Sequence, residues 1–185
     1  MDRSEAIPAA LPDVTREAGL EQVFRTQYHR LVPLLVRITG DKTLAEELAS
    51  EALYRLSSRP GLLGAADSVE AWLYRTATNL ALDALRGRTR RQRYENAAGA
   101  ETLRTAAPAN PLEDLLSRER QQAVRTVLAT IKERSARTLL LRHTGFSYSE
   151  IAAILEVPAA AIPSIVMRAT EEFRKEFQKT YRSSL

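Results

Sequence analysis

The sequence predicts an all-α protein made of two small helical domains joined by a flexible linker. Apolar residues recur every three or four positions through most of the 185 residues, and no stretch shows the two-residue alternation of a half-buried strand. The helical period lapses over residues 94–112, where small and polar residues surround two prolines. We therefore expect domains at 20–93 and 113–182, a linker at 94–112 and a disordered tail at 1–19.

Two helices are predicted before the strongest segment of the chain. Apolar residues from Leu20 to Ile38 follow a helical period, with Pro33 expected to bend or split that helix and Gly40 to end it. Thr43 and Glu46 have the spacing of a capping box for a second helix, Leu44 to Leu56. The outer face of the second helix is acidic, which is typical either of a docking surface or of a solvated helix face.

The most periodic segment runs from Ala71 to Arg93. Leu73, Ala77 and Leu80 fall in one apolar sector, whereas five other residues spaced 4, 3, 4 and 3 apart line a separate stripe. The stripe consists of Trp72, Thr76, Asn79, Asp83 and Arg86. Four further arginines follow it: Arg88, Arg90, Arg91 and Arg93. Such a density of guanidinium groups repels itself unless phosphates or carboxylates lie opposite, so the segment predicts binding to a polyanion.

The C-terminal part predicts a helix-turn-helix. Helical periodicity resumes at Leu112, Ser135 is expected to cap a shorter helix that ends at Gly145, and Ser147 to Glu150 forms a capping box. A turn at 156–158 then leads into a last helix that reaches about Tyr181.

Pro163 constrains where that last helix begins. A proline in the helix interior would remove a hydrogen bond and cost about 3 kcal/mol. We therefore expect regular helix from Ile162 or Pro163, after an irregular or 3₁₀ lead-in over 158–161.

Composition excludes several classes of function. The chain carries a net charge of +4 with 44% hydrophobic and 27% charged residues, and it has no cysteine for disulfides, thiolate metal sites or nucleophiles. His29 and His143 have no partner pattern, so we assign both structural or solvent roles. No catalytic pair, metal cluster or phosphate-binding glycine loop is visible, so we expect neither an enzyme nor a cofactor. Without a long apolar run or signal peptide, the expected location is the cytoplasm, with no membrane insertion.

Two sequence blocks, in order across the linker, resemble a known family. WLYRxAxNxAxDxLR in the first domain and GxSYxEIAxxLxV followed by SxxxRA in the second are similar to the two domains of extracytoplasmic-function sigma factors of bacterial RNA polymerase. The resemblance implies that the partners are the polymerase core, through its clamp helices and flap, promoter DNA and an anti-sigma factor. It implies core docking through Glu47, Leu48 and Glu51, although the usual aspartate-leucine-x-glutamine run here ends in Ser50.

The resemblance also gives roles to the predicted polyanion-binding segment. Its stripe would read and melt the minus-ten element, the loop from Arg59 to Ser68 would close over a flipped base, and Arg88 to Arg93 would contact phosphate. Asn79 and Arg86 are the principal candidates for DNA contact, whereas Trp72 fits a core position equally well.

The second domain departs from the family in its recognition helix. Where the family commonly has hydroxyl and basic side chains, this chain has Pro158, Ala161, Pro163 and Ile165, which cannot hydrogen-bond base edges. Ser164 and Arg168 remain as polar contacts, with Arg174 and Lys175 as further cations. The apolar tip would weaken reading of the minus-thirty-five element, form a protein contact surface, or simply pack on the preceding helix.

Two functions therefore remain open at this point. The first is a sigma factor that directs promoter-specific initiation. The second is a sigma-like regulator that binds polymerase or an anti-sigma factor without full promoter recognition. The lack of hydroxyl and basic side chains at the start of the recognition helix favours this second function.

Overall fold

A computed structural model describes residues 13–62, 66–97 and 111–181. These residues form seven α-helices and two 3₁₀ turns, without a β-strand, so the all-α prediction is confirmed. The helices are α1 (Asp13–Thr39), α2 (Lys42–Ser57), α3 (Ala66–Ala97), α4 (Pro111–Thr130), α5 (Glu133–His143), α6 (Tyr148–Leu155) and α7 (Ile162–Tyr181), and the 3₁₀ turns are Pro60–Leu62 and Ala159–Ala161.

The first helix is longer than the sequence pattern indicated. It begins at Asp13, so the last seven residues of the predicted tail, 13–19, are helical, while residues 1–12 lie outside the described part. Pro33 lies inside α1 without splitting it. Gly40 ends the helix as predicted, with a left-handed φ of 72° that glycine adopts at little cost.

The predicted caps of α2 and α5 were both wrong. Asp41, in an extended conformation directly after Gly40, caps α2 by accepting a 3.1 Å hydrogen bond from the Leu44 amide, so Thr43 is already inside the helix. The start of α5 lies at Glu133 and has no capping side chain of its own. Its first turn is instead held from α7, because Glu172 accepts hydrogen bonds from the Lys132 amide at 3.0 Å and the Ser135 hydroxyl at 2.6 Å.

The helix-turn-helix region follows the predicted boundaries closely. The Ser147–Glu150 capping box at the start of α6 is confirmed. Regular helix begins at Ile162 after the 3₁₀ turn Ala159–Ala161, as the position of Pro163 predicted. The chain bends by 106° between α6 and the segment Ala159–Tyr181, which lies within the range of about 90–120° typical of helix-turn-helix motifs.

We call α1–α3 the N-terminal unit and α4–α7 the C-terminal unit. Buried apolar side chains of both units form one contiguous cluster, in which Leu35, Leu73, Val127 and Ile151 are fully buried. The predicted linker is shorter than expected, because α3 continues to Ala97 and α4 begins at Pro111, and the remainder, 98–110, lies outside the described residues. The division into two domains therefore stays a prediction.

No single helix in the described ranges is both long and apolar enough to cross a bilayer. The pair Tyr148–Leu155 and Ala159–Tyr181 meets that criterion only when the two are counted together across their bend.

Candidate nucleic-acid interface

The predicted stripe on α3 divides into two edges. At about 100° per residue, Asn79 and Arg86 lie on one edge, Thr76 and Asp83 on the other, and Trp72 between them. The opposite side of α3 is buried in the core, where Ala77 and Ala81 have no exposed surface. The two edges differ in their surroundings, because the first faces the C-terminal unit.

Trp72 is half-buried and packs against the core, which is the alternative that the sequence left open. The guanidinium of Arg59 lies 5.5 Å from the centre of its ring, a cation–π contact that the sequence analysis missed. Arg59 follows α2 and begins the predicted base-closing loop, of which residues 63–65 lie outside the described part. Trp72 is thus held on two sides in the free protein.

Asn79 is the most unusual residue of the stripe. Its amide oxygen is buried and has no hydrogen-bond partner among the described residues. A buried polar atom left unpaired costs about 1–3 kcal/mol. Neighbouring Thr76 is half-buried, and Asp83 on the outer edge is exposed. Asn79 therefore has an unused acceptor on the side of α3 where the sequence predicts contact with a base.

Arg86 and its neighbour Arg75 are both paired with carboxylates of the C-terminal unit. Arg86 Nη1 lies 3.5 Å from Glu133 and 3.7 Å from Asp83 on its own helix. Arg75 Nη1 lies 2.5 Å from Glu156, and this hydrogen bond holds the pKa of the Glu156 carboxyl below its ordinary value. Sequence reasoning missed Arg75, although it precedes Asn79 by one helical turn and so lies on the same edge.

The arginine cluster at the end of α3 is exposed, and it comprises Arg88, Arg90, Arg91 and Arg93. Arg88 and Arg91 line a cleft of about 1140 Å³ between α3 and α4, together with Gln92, Gln122 and Arg125. Arg125, a further residue that the sequence did not single out, donates a 3.2 Å hydrogen bond to the carbonyl of Ile38. Burial, and then the nearby charge of Arg88, lower the pKa of the Arg125 guanidinium.

The acidic face of α2 is only partly free. Glu47 and Ser50 are exposed, Leu48 is half-buried against the core, and Glu51 is paired with Arg55 at 2.7 Å. Tyr54, which sequence reasoning missed, leaves 70% of its surface exposed one turn beyond Ser50. An exposed aromatic at helical spacing from two carboxylates is the signal that could have identified it.

The recognition helix α7 uses its polar groups locally. The Ser164 hydroxyl donates to the carbonyl of Ala161 at 2.9 Å, and Arg168 Nε donates to the carbonyl of Ser164 at 3.2 Å. Arg174 and Lys175 both pair with Glu171, at 2.9 and 3.5 Å.

Burial on α7 divides the predicted apolar tip. Ile165 is only 8% exposed and belongs to the core with Ile162, whereas Pro163 and Met167 are exposed. The exposed tip is therefore smaller than the sequence suggested.

The two histidines lie apart from these surfaces. His29 is exposed and meets the ring of Tyr28 edge-on, and the backbone carbonyl of His143 accepts a 3.2 Å hydrogen bond from Arg37. Within the described ranges, no group of three or more His, Asp or Glu residues could hold a metal ion.

Comparison with known proteins agrees with this arrangement. Residues 23–91, which span most of α1, all of α2 and the stripe of α3, match the family described as sigma-70 region 2. The chain is 28% identical over 165 residues to the RNA polymerase sigma-H factor of Pseudomonas aeruginosa, covering 84% of each protein. It is 26% identical over 157 residues to the ECF RNA polymerase sigma factor SigW of Bacillus subtilis, covering 80% of this chain and 83% of that one.

A third relative matches over a shorter span. The ECF RNA polymerase sigma-E factor of Escherichia coli is 32% identical over 118 residues, or 60% of this chain and 62% of the relative. The family match covers the predicted docking residues of α2 and the stripe of α3 but not Ser164 and Arg168 of α7, and the longer alignments extend over both units. The match to sigma-70 region 2 and the similarity to relatives named as ECF sigma factors support an ECF-type RNA polymerase sigma factor that acts in transcription initiation.

Proposed function

We propose that this sigma factor melts and reads the minus-ten element through the stripe of α3, with Asn79 as its principal base-contacting residue. The unpaired buried amide oxygen of Asn79 carries the proposal. An extruded base offers amino groups that can donate to such an oxygen, and hydrogen bonds to a flipped base are the usual means of reading it. Arg75 and Arg86 on the same edge supply cations for the adjacent phosphates.

The exposed arginines Arg88, Arg90, Arg91 and Arg93 extend that surface along the DNA backbone. They follow the stripe without a break in α3, so a strand engaged by Asn79 would continue along them. Trp72 supports the melted base from the middle of the stripe, once Arg59 moves from its ring.

Docking on the polymerase core is assigned to α2. Glu47 is exposed, Glu51 exchanges its partner Arg55 for a cation of the core, and Leu48 helps to hold the helix on its own unit. Tyr54 adds an exposed aromatic anchor to this face. The loss of the usual glutamine at Ser50 is offset by this aromatic contact.

The C-terminal unit contributes little to promoter choice in this proposal. Ser164 and Arg168 bond to nearby backbone carbonyls, and the other cations of α7 pair with Glu171 or, for Lys179, with Glu176, so few groups can reach base edges. Reading of a minus-thirty-five element is accordingly weak. Control by an anti-sigma factor in the cytoplasm, where the polymerase acts, completes the proposal.

Run-off transcription with core polymerase tests it. We expect initiation at discrete start sites with the unmodified protein, and loss of initiation without loss of core binding for Asn79→Ala. Thr26→Ala, at an exposed position on α1, is the matched control. Core binding without any initiation by the unmodified protein would favour the alternative, a regulator that does not recognise a full promoter.

A further inference from the structure

The edge of α3 that carries Arg75, Asn79 and Arg86 faces the C-terminal unit. The ion pairs Arg75–Glu156 and Arg86–Glu133 join them, and the ring of Phe146 meets Tyr74 edge-on with 4.8 Å between ring centres. Three polar contacts lie beyond this edge: Arg37 to the His143 carbonyl, Arg125 to the Ile38 carbonyl, and Gln122 to Gln92. The C-terminal unit therefore occupies the edge that the proposed function assigns to DNA.

The groups that occupy this edge resemble DNA chemically. Glu156 and Glu133 place carboxylate oxygens on the guanidinium groups of Arg75 and Arg86, as phosphate oxygens would. Both carboxylates belong to the C-terminal unit, Glu133 at the start of α5 and Glu156 in the turn after α6. Each arginine side chain is only about one quarter exposed, at 25% for Arg75 and 24% for Arg86.

The contact between the units leaves several buried groups unpaired. Arg75 Nε, Asn79 Oδ1 and Arg137 Nε are all buried without a hydrogen-bond partner among the described residues. Arg137, which also pairs with Glu133, has a pKa lowered by burial, and the charges of Arg75 and Arg86 lower it further. Three guanidinium groups thus share Glu133, Glu156 and the exposed Asp83 in a partly desolvated space, so a ligand that supplies further acceptors could displace the C-terminal unit.

We propose that the C-terminal unit is an internal competitor of promoter DNA, in which Glu133 and Glu156 occupy the DNA-binding edge of α3 until DNA displaces them. The inference rests on the proposed function of that edge. The same guanidinium groups cannot hold the carboxylates and phosphate at once, so DNA binding requires the two units to separate there. The C-terminal unit, which carries the recognition helix, then has a second role: it covers the DNA-binding edge of α3, although its own helix recognises little DNA sequence.

The test uses the full chain and a fluorescently labelled single-stranded oligonucleotide of mixed sequence. The ion pairs Arg75–Glu156 and Arg86–Glu133 are partly screened by solvent, so Glu133→Gln with Glu156→Gln should tighten binding by roughly 2- to 30-fold. Glu21→Gln with Glu176→Gln removes the same charge from two pairs that lie within single helices, Glu21–Arg25 and Glu176–Lys179. This matched pair of substitutions should change affinity by less than about twofold.

A second measurement reports the separation directly. Small-angle X-ray scattering should give a larger radius of gyration for the Glu133→Gln, Glu156→Gln protein than for the control, with circular dichroism confirming that both remain helical. Equal affinities and equal radii for the two proteins would overturn the internal competitor and leave the proposed function intact. If Arg75→Ala and Asn79→Ala leave DNA binding unchanged in the opened protein, the proposed function of the edge is itself wrong.

Discussion

Gly40 shows how a single residue joins the two units. Its φ of 72° is left-handed, and the guanidinium of Arg125 lies over it so closely that an added Cβ would meet Arg125 Nη1 at 2.8 Å. Arg125 needs that space to reach the carbonyl of Ile38 at the end of α1. The sequence predicted a helix end at Gly40 from its lack of a side chain, but a contact with a residue 85 positions away has no local signal.

Gly40→Ala should therefore destabilise the protein for two separable reasons. A left-handed alanine costs about 1–2 kcal/mol, and displacing Arg125 costs about another 1 kcal/mol. In an Arg125→Ala background only the first cost should remain. Urea denaturation of the four proteins measures both costs, and an equal loss in the two backgrounds would show that Arg125 does not depend on Gly40.

Glu172 is a second residue whose role depends on a distant helix. Burial raises the pKa of its carboxyl, but hydrogen bonds from Ser135 and the Lys132 amide outweigh burial and leave the pKa below its ordinary value. The pKa of this carboxyl is therefore lower in the folded state than in the unfolded state, where it is about 4.3. The carboxylate stabilises the protein at pH values above the unfolded-state pKa, and this stabilisation is lost as the pH falls through the folded-state pKa.

Glu172→Gln should lower the free energy of unfolding at pH 7 by about 1 kcal/mol, the usual effect of losing a helix cap. The difference from the unmodified protein should shrink below about pH 4, where the carboxyl becomes protonated in both states. Glu171→Gln is the control, because Glu171 pairs only within α7. A difference that stays constant down to pH 3 would exclude the carboxylate as the cause.

At the scale of elements, the sequence predicted helices well where local chemistry determines them. The Ser147–Glu150 capping box and the start of α7 depend on residues within one turn, and both were predicted correctly. The start of α5 could not be predicted, because its capping group comes from α7. For the candidate site, helical periodicity predicted the stripe of α3. Which edge of the stripe contacts the C-terminal unit could not be predicted, because that contact depends on residues far away in the sequence.

The cationic end of α3 leads to a prediction about salt. Replacing Arg88, Arg90, Arg91 and Arg93 by alanine should weaken DNA binding for all sequences and flatten the dependence of log K on log salt by about one unit per lost phosphate contact. Alanine at four cations that pair within single helices, Arg25, Lys42, Arg55 and Lys179, is the control. An unchanged slope in the first protein would contradict phosphate contact.

The recognition helix allows a gain-of-function test. Because Ile165 is buried, added charge belongs at the exposed positions Pro163 and Met167. Lysine at both should raise duplex affinity of the full chain and steepen its salt dependence by about two units. Lysine at Gln178 and Thr180, exposed near the other end of α7, is the control. An equal gain in both proteins would show a general charge effect and no role for the tip.

At the scale of the molecule, the sequence predicted two domains and the structure packs their helices together. A short tether holds two linked modules at an effective concentration on the order of millimolar, so even a weak contact persists in the intact chain. The two described ion pairs between the units are partly screened by solvent and lie beside buried groups left unpaired, so each is a weak contact. The joined arrangement should therefore depend on the covalent connection.

Cutting the chain within 98–110 tests that dependence. With a specific protease site inserted there, the intact protein should elute as one compact species, and the cleaved protein at micromolar concentration should separate into two helical fragments. Higher salt should promote the separation, because the screening length falls from about 10 Å at 0.1 M salt to about 3 Å at 1 M, which is comparable to the N–O distances in the ion pairs of Arg75 and Arg86. Fragments that stay together in 1 M salt would show that the shared apolar cluster, and not the connection, joins the units, and that α1–α7 form a single domain.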